Sequence, residues 1–164
     1  MEDSTCRGED YPWTVPLLEN AVWGGVYALG ALILRRIHPV VAGAYLAYAL
    51  ACMYLLLPRL VCTSCSYFGR TCHSGQGRLA ALLFAPRDQA EFARRFRSMR
   101  LAAPVFLAPL LAGIVLLPLR FSWRLAAATV VFGVLALGCT RLVTKRLGCP
   151  RCRQRHVCPG CARG

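Results

Sequence analysis

A chain of 164 residues that is 57% hydrophobic and only 16% charged falls well short of the roughly 25% charged composition of soluble domains, which excludes an ordinary water-soluble globule. Its formal net charge of +13 invites a nucleic-acid partner. All but Lys145 of its 20 cations are arginine, however, and they are spread between greasy blocks, which makes nucleic acid a poor expectation. No set of nucleophile, base and orienting acid stands out, so no enzymatic reaction is expected.

The first residues, MEDSTCRGED, are acidic where the start of a cleavable signal peptide is basic. The first helix is therefore expected to be retained, with residues 1–14 a cytoplasmic tail carrying an isolated Cys6. A spanning helix needs about 20 apolar residues, and four blocks approach that length: Val15–Leu34, Val40–Leu57, Leu101–Leu119 and Leu125–Val143. The predicted fold class is all-α, an integral membrane protein with four transmembrane helices in two hairpins, residues 15–57 and 101–143. Gly43, Ala47 and Ala51 in the second helix, and Ala21 with Gly25 or Gly24 with Ala28 in the first, have the small-residue spacing of close helix contacts. Glu19, about one turn inside the first helix, is expected to be an interfacial carboxylate.

The distribution of cations orients the chain. Arg35 and Arg36 lie in one hairpin turn and Arg120 and Arg124 in the other, while the remaining sixteen fall in the tails and the central loop. Cytoplasmic segments carry the Lys/Arg excess, so both termini and residues 58–100 are expected in the cytoplasm of a multi-pass cell-membrane protein. His38, in the first turn, is expected to be solvated.

Directly after the second helix comes C-T-S-C-S-Y-F-G-R-T-C-H, with Cys62, Cys65, Cys72 and His73. Residues 144–164 end in C-P-R-C-R-Q-R-H-V-C-P-G-C, with Cys149, Cys152, Cys158 and Cys161 around His156. Two cysteines separated by two residues place both sulfurs on one ion, and two such pairs fill a tetrahedral zinc site. Disulfides are rare in a reducing cytosol, so a metal is expected, zinc rather than an iron–sulfur cluster. A local site in the terminal tail is the expectation, although its five-residue gap is far below the usual 15 to 20 residues of zinc ribbons. In the alternative, Cys62 and Cys65 share an ion with Cys149 and Cys152, leaving Cys72, His73, Cys158 and Cys161 for a second. Cys52 and Cys139, inside helices, read as small apolar fillers.

Between the first cysteine cluster and the third span, Gly75 and Gly77 suggest a flexible turn, and RLAALLFA before Pro86 a short interfacial turn. Asp88 and Glu91 form a capping box that starts a helix near Gln89. Phe92, Phe96 and Met99 recur at helical spacing with Arg94, Arg97 and Arg100 on other faces, the pattern of a helix lying on lipid with its guanidinium groups at anionic headgroups. The expected function is a membrane-anchored interaction or assembly module with structural zinc and a cytoplasmic or membrane protein partner. The alternatives are a membrane redox protein using iron–sulfur or dithiol chemistry and a soft-metal-ion transporter.

Overall fold

The computed structural model describes residues 10–139, 142, 144–154 and 157–159, and every regular element among them is helical. Three helices are long and apolar enough to cross a membrane: helix one (Thr14–Leu34), helix two (Pro39–Ser64) and helix three (Gln89–Leu119). Helix four (Trp123–Gly138) is apolar but shorter. Most of each long helix is not buried inside the protein, and the outward surface carries Leu17, Leu32, Val40, Leu107, Leu111, Val115 and Val130. A helix that is apolar all round needs apolar surroundings on its outer side too. This surface suits lipid hydrocarbon.

The helices differ from the sequence reading at their ends. Helix two runs past Leu57 to Ser64, so Cys62 lies on its last turn. Helix three begins at Gln89 instead of Leu101, because the basic segment is itself helical and continues through a tight turn, Phe96–Ala102, into Ala103–Leu119. Asp88 caps this start by accepting from the Ala90 N–H at 2.9 Å. Glu91 does not close the capping box; it pairs with Arg94 and Arg95. His38 is exposed and caps helix two, its Nδ1 accepting from the Val40 N–H at 3.2 Å.

Helices one and two pack together, as do three and four, but helix one also packs on both three and four. The two hairpins thus close into one bundle around helix one. Of the small residues at four-residue spacing, Gly25 is half-buried and a Cβ there would lie 3.6 Å from Leu135 of helix four, whereas Gly24, Ala28, Gly43 and Ala47 are exposed, and an added Cβ would meet nothing within 4 Å at Gly24 or Gly43. The close approaches are Gly30 against the Tyr45 ring and Gly113 against Thr129. Spacing alone could not distinguish a small residue facing lipid from one facing a helix.

Proline explains one of the interhelical bonds. Pro109 is buried within helix three and has no N–H to offer the Val105 carbonyl four residues back. The Tyr45 hydroxyl of helix two donates to that oxygen at 3.1 Å, while the Tyr48 hydroxyl donates to the Leu101 oxygen at 2.6 Å. Backbone groups in hydrocarbon must find partners inside the protein. Tyr45→Phe should therefore lower stability by about 1–3 kcal/mol, the cost of one buried carbonyl left unsatisfied, seen as a lower thermal midpoint in detergent; an unchanged midpoint would show that the bond contributes little.

Candidate functional site

Three segments distant in sequence meet at one end of the bundle. The Tyr11 N–H donates to the Thr71 oxygen at 3.1 Å, and the Tyr11 hydroxyl donates to the Gly148 carbonyl across 137 residues of chain. The Cys65 thiol donates to Gln154 Oε1 at 3.2 Å. The N-terminal segment, the central loop and the C-terminal segment are thereby fastened together, while the turns that carry Arg35, Arg36 and Arg120, with Arg124 at the start of helix four, connect the opposite helix ends.

Both C-x-x-C stretches adopt the same local form. Cys62–Ser64 is one turn of 3-10 helix in which the Cys65 N–H donates to the Cys62 oxygen at 3.1 Å, and Cys65 then turns extended (φ −89°, ψ 145°). Cys149–Arg151 is a matching turn, with the Cys152 N–H donating to the Cys149 oxygen at 3.2 Å and Cys152 at φ −78°, ψ 125°. Pro150 suits the start of such a turn because its fixed φ is helical and its missing N–H is not needed there. The first stretch reaches the same shape without proline.

The two knuckles face one chamber of about 210 Å³, lined also by Cys72, His73 and Cys158 and by Glu19 from helix one. Backbone N–H groups point at two of the sulfurs: Gly77 N–H donates to Cys72 Sγ at 3.3 Å, and Tyr67 N–H supplies a bond to Cys65. Such donors favour the thiolate form. They are opposed at Cys65 by burial, which pushes that thiol up to about 12, with Cys72, Cys152 and Cys158 nearby adding to the rise. Cys65 is therefore a neutral donor at neutral pH. Burial also raises the Tyr11 hydroxyl, with Tyr67 and Cys152 contributing, so it donates to Gly148 throughout the physiological range.

Cys62, Cys65, Cys72 and Cys158 carry free thiols, whereas Cys149 is disulfide-bonded. The side chains stand around the chamber, and among the described residues no group of three or more His, Cys, Asp or Glu side chains is gathered closely enough to hold a metal ion. Cys161 and His156 lie outside the described residues, and so does Cys6. Cys52 is buried in the bundle core, in keeping with an apolar filler.

Tyr11 and Gln154 carry no signal in the sequence, and other participants have surroundings that the sequence did not show. Glu19 is buried within the protein: it is 6% exposed and its Oε1 lies 3.6 Å from His73 Nε2. Gly77 is no flexible linker; it is buried among the backbone of the first cysteine loop. Gly75 has φ +75°, a conformation that favours glycine. Phe92 is buried and Phe96 half-buried, with rings 5.7 Å apart, and both line the chamber, so this aromatic stripe covers the thiols in place of facing outward. Arg94, Arg97 and Arg100 are exposed on the other faces of the same segment. Their pattern was amphipathic in sequence because one face is covered, but periodicity does not say whether lipid or protein covers it.

Compared with models of protein families, with curated proteins and with solved structures, the chain has no match.

Proposed function

We propose that this protein is a multi-pass membrane protein in which the two cysteine knuckles share one thiophilic metal ion, zinc, at the cytoplasmic end of the bundle. The metal's role is structural: it locks the central loop to the C-terminal segment and so presents a rigid basic platform to a cytoplasmic or membrane protein partner. The observation that supports this most is the convergence of two turns of equal geometry, Cys62–Cys65 and Cys149–Cys152, on one chamber. It favours the shared arrangement over a site confined to the terminal tail. Arg94, Arg97 and Arg100, exposed beside the chamber, suit anionic headgroups.

A dithiol redox role is the second reading, and the disulfide at Cys149 beside other chamber cysteines favours it. Zinc binding requires that Cys149 be reduced, because the thiolate is the metal ligand. Metal analysis and an absorption spectrum of protein purified without oxygen separate the readings. Zinc without visible bands is expected. Iron with matching sulfide, or a metal-free protein that cycles between dithiol and disulfide, would replace the structural-zinc reading.

A further inference from the structure

We propose, on the reading of this chain as a multi-pass membrane protein, that the groove between the start of helix one and the short helix Gln76–Leu83 binds one anionic phospholipid, its phosphate on Arg78 and its upper methylenes in the groove. The site uses neither the thiols nor Arg94, Arg97 and Arg100.

The groove has a volume of about 350 Å³. One wall is the beginning of helix one, with Trp13, Pro16 and Leu17, and the other is the short helix, with Leu79. The polar side chains that line it are already committed. Asn20 Nδ2 donates to the Pro16 and Ser74 oxygens at 2.7 and 3.0 Å, Asn20 Oδ1 accepts from the Tyr54 hydroxyl at 3.0 Å, and Gln76 Oε1 accepts from the Cys62 thiol. What the groove offers a ligand is therefore mainly apolar contact, which suits methylenes better than a small polar solute.

Position favours a lipid over other apolar occupants. A helix that crosses the bilayer from Thr14 has its first turns at the boundary between headgroups and hydrocarbon, the level at which tryptophan is enriched, and Trp13 is 65% exposed there. Leu17 lines the groove and also belongs to the outward apolar surface, so the groove is continuous with the face that lipid covers.

Charge selects the headgroup. The Arg78 guanidinium lies over the Trp13 ring, 4.9 Å from its centroid. Stacking occupies the face of the guanidinium and leaves the N–H groups around its edge for the oxygens of a phosphate. Among the described residues no carboxylate pairs with Arg78. The sequence has no Asp or Glu between Glu19 and Asp88, whereas Arg59, Arg70, Arg78 and Arg87 are all exposed. Glu19 is buried against the thiol chamber. Against Asp10, which precedes Trp13, the segment that carries Arg78 thus sets four cations.

The test is native mass spectrometry of the full-length protein in detergent, supplied with phosphatidylglycerol or with phosphatidylcholine of the same chains. Wild type, Arg78→Gln, Leu79→Trp and Arg124→Gln are compared, with helical circular dichroism as the folding control. Wild type should retain one phosphatidylglycerol more tightly than phosphatidylcholine. Arg78→Gln should weaken phosphatidylglycerol roughly fivefold, the effect of one basic side chain at an anionic surface. Leu79→Trp, whose larger ring fills the groove, should weaken both lipids, and Arg124→Gln, at the opposite end, neither. Folded Arg78→Gln with wild-type affinity, equal retention of the two lipids by wild type, displacement of the lipid by inorganic phosphate, or a second copy of the chain in its place would each overturn the proposal while leaving the membrane reading intact. Release of the protein from membranes by alkaline carbonate would overturn both.

Discussion

Stripping the metal with a chelator under reducing conditions should lower the thermal midpoint sharply and open the backbone of residues 144–154 to hydrogen exchange. Structural zinc binds zinc-finger peptides with an apparent 10–16 kcal/mol at neutral pH, and an ion present at 1,000 times its Kd stabilises the folded form by about 4 kcal/mol. Without it, the end of the bundle is fastened mainly by the Tyr11 bond to Gly148, the Cys65 bond to Gln154 and the small apolar cluster of Tyr11, Val15, Tyr67 and Cys72. Helices one to four pack through a larger core, which reaches the cysteine-bearing end only at residues such as Cys158 and Cys65. Loss of protection should therefore be greatest in the cysteine-bearing segments. Equal protection with and without chelator would show that no metal fastens this end.

Gly77→Ala should be the most damaging single methyl group in the cysteine loop. Its Cβ would collide with the Tyr67 carbonyl oxygen and lie 2.6 Å from that of Arg70. Both obstacles are backbone, so neither can swing aside as a side chain end would. The same residue donates its N–H to Cys72 Sγ and accepts from the Gly69 N–H at 3.0 Å. Relief of the clash must move one of these bonds. Overpacking typically costs 1–3 kcal/mol and occasionally more, and about 3 kcal/mol is expected here, together with weaker metal binding. The comparison is Gly43→Ala, where the new methyl group meets nothing within 4 Å. Equal thermal midpoints for the two variants would refute this description of the loop.

Much of the architecture was legible because it depends on local composition. Runs such as VVAGAYLAYALACMYLLL are apolar on every face, and length alone makes them candidates for a span. The two C-x-x-C turns were equally readable, since four residues determine them. What composition could not show was which distant groups meet. Tyr11 and Gly148, Glu19 and His73, and Cys65 and Gln154 are far apart in sequence and meet only in the folded bundle. Helix faces were ambiguous for a related reason. Where the surroundings are lipid on one side and protein on the other, an apolar residue does not reveal which side it faces, so the small-residue spacing marked Gly25 together with exposed positions such as Gly24 and Gly43, and the Phe92–Phe96 stripe did not show that it lines the chamber. Pro109 carried a hidden signal: a proline within a spanning helix frees the carbonyl four residues back. That logic implies a donor on a neighbouring helix, which Tyr45 supplies.

An ion shared between the knuckles depends on Cys62 and Cys65, and zinc content measured side by side in wild type and in Cys62→Ser/Cys65→Ser reads that dependence. Both proteins are purified without oxygen, with helical circular dichroism confirming that the bundle is intact. The shared site predicts zinc in the wild type and its loss from the double variant, although every terminal cysteine is still present. Full zinc content in the double variant would contradict it and return the metal to the terminal tail alone.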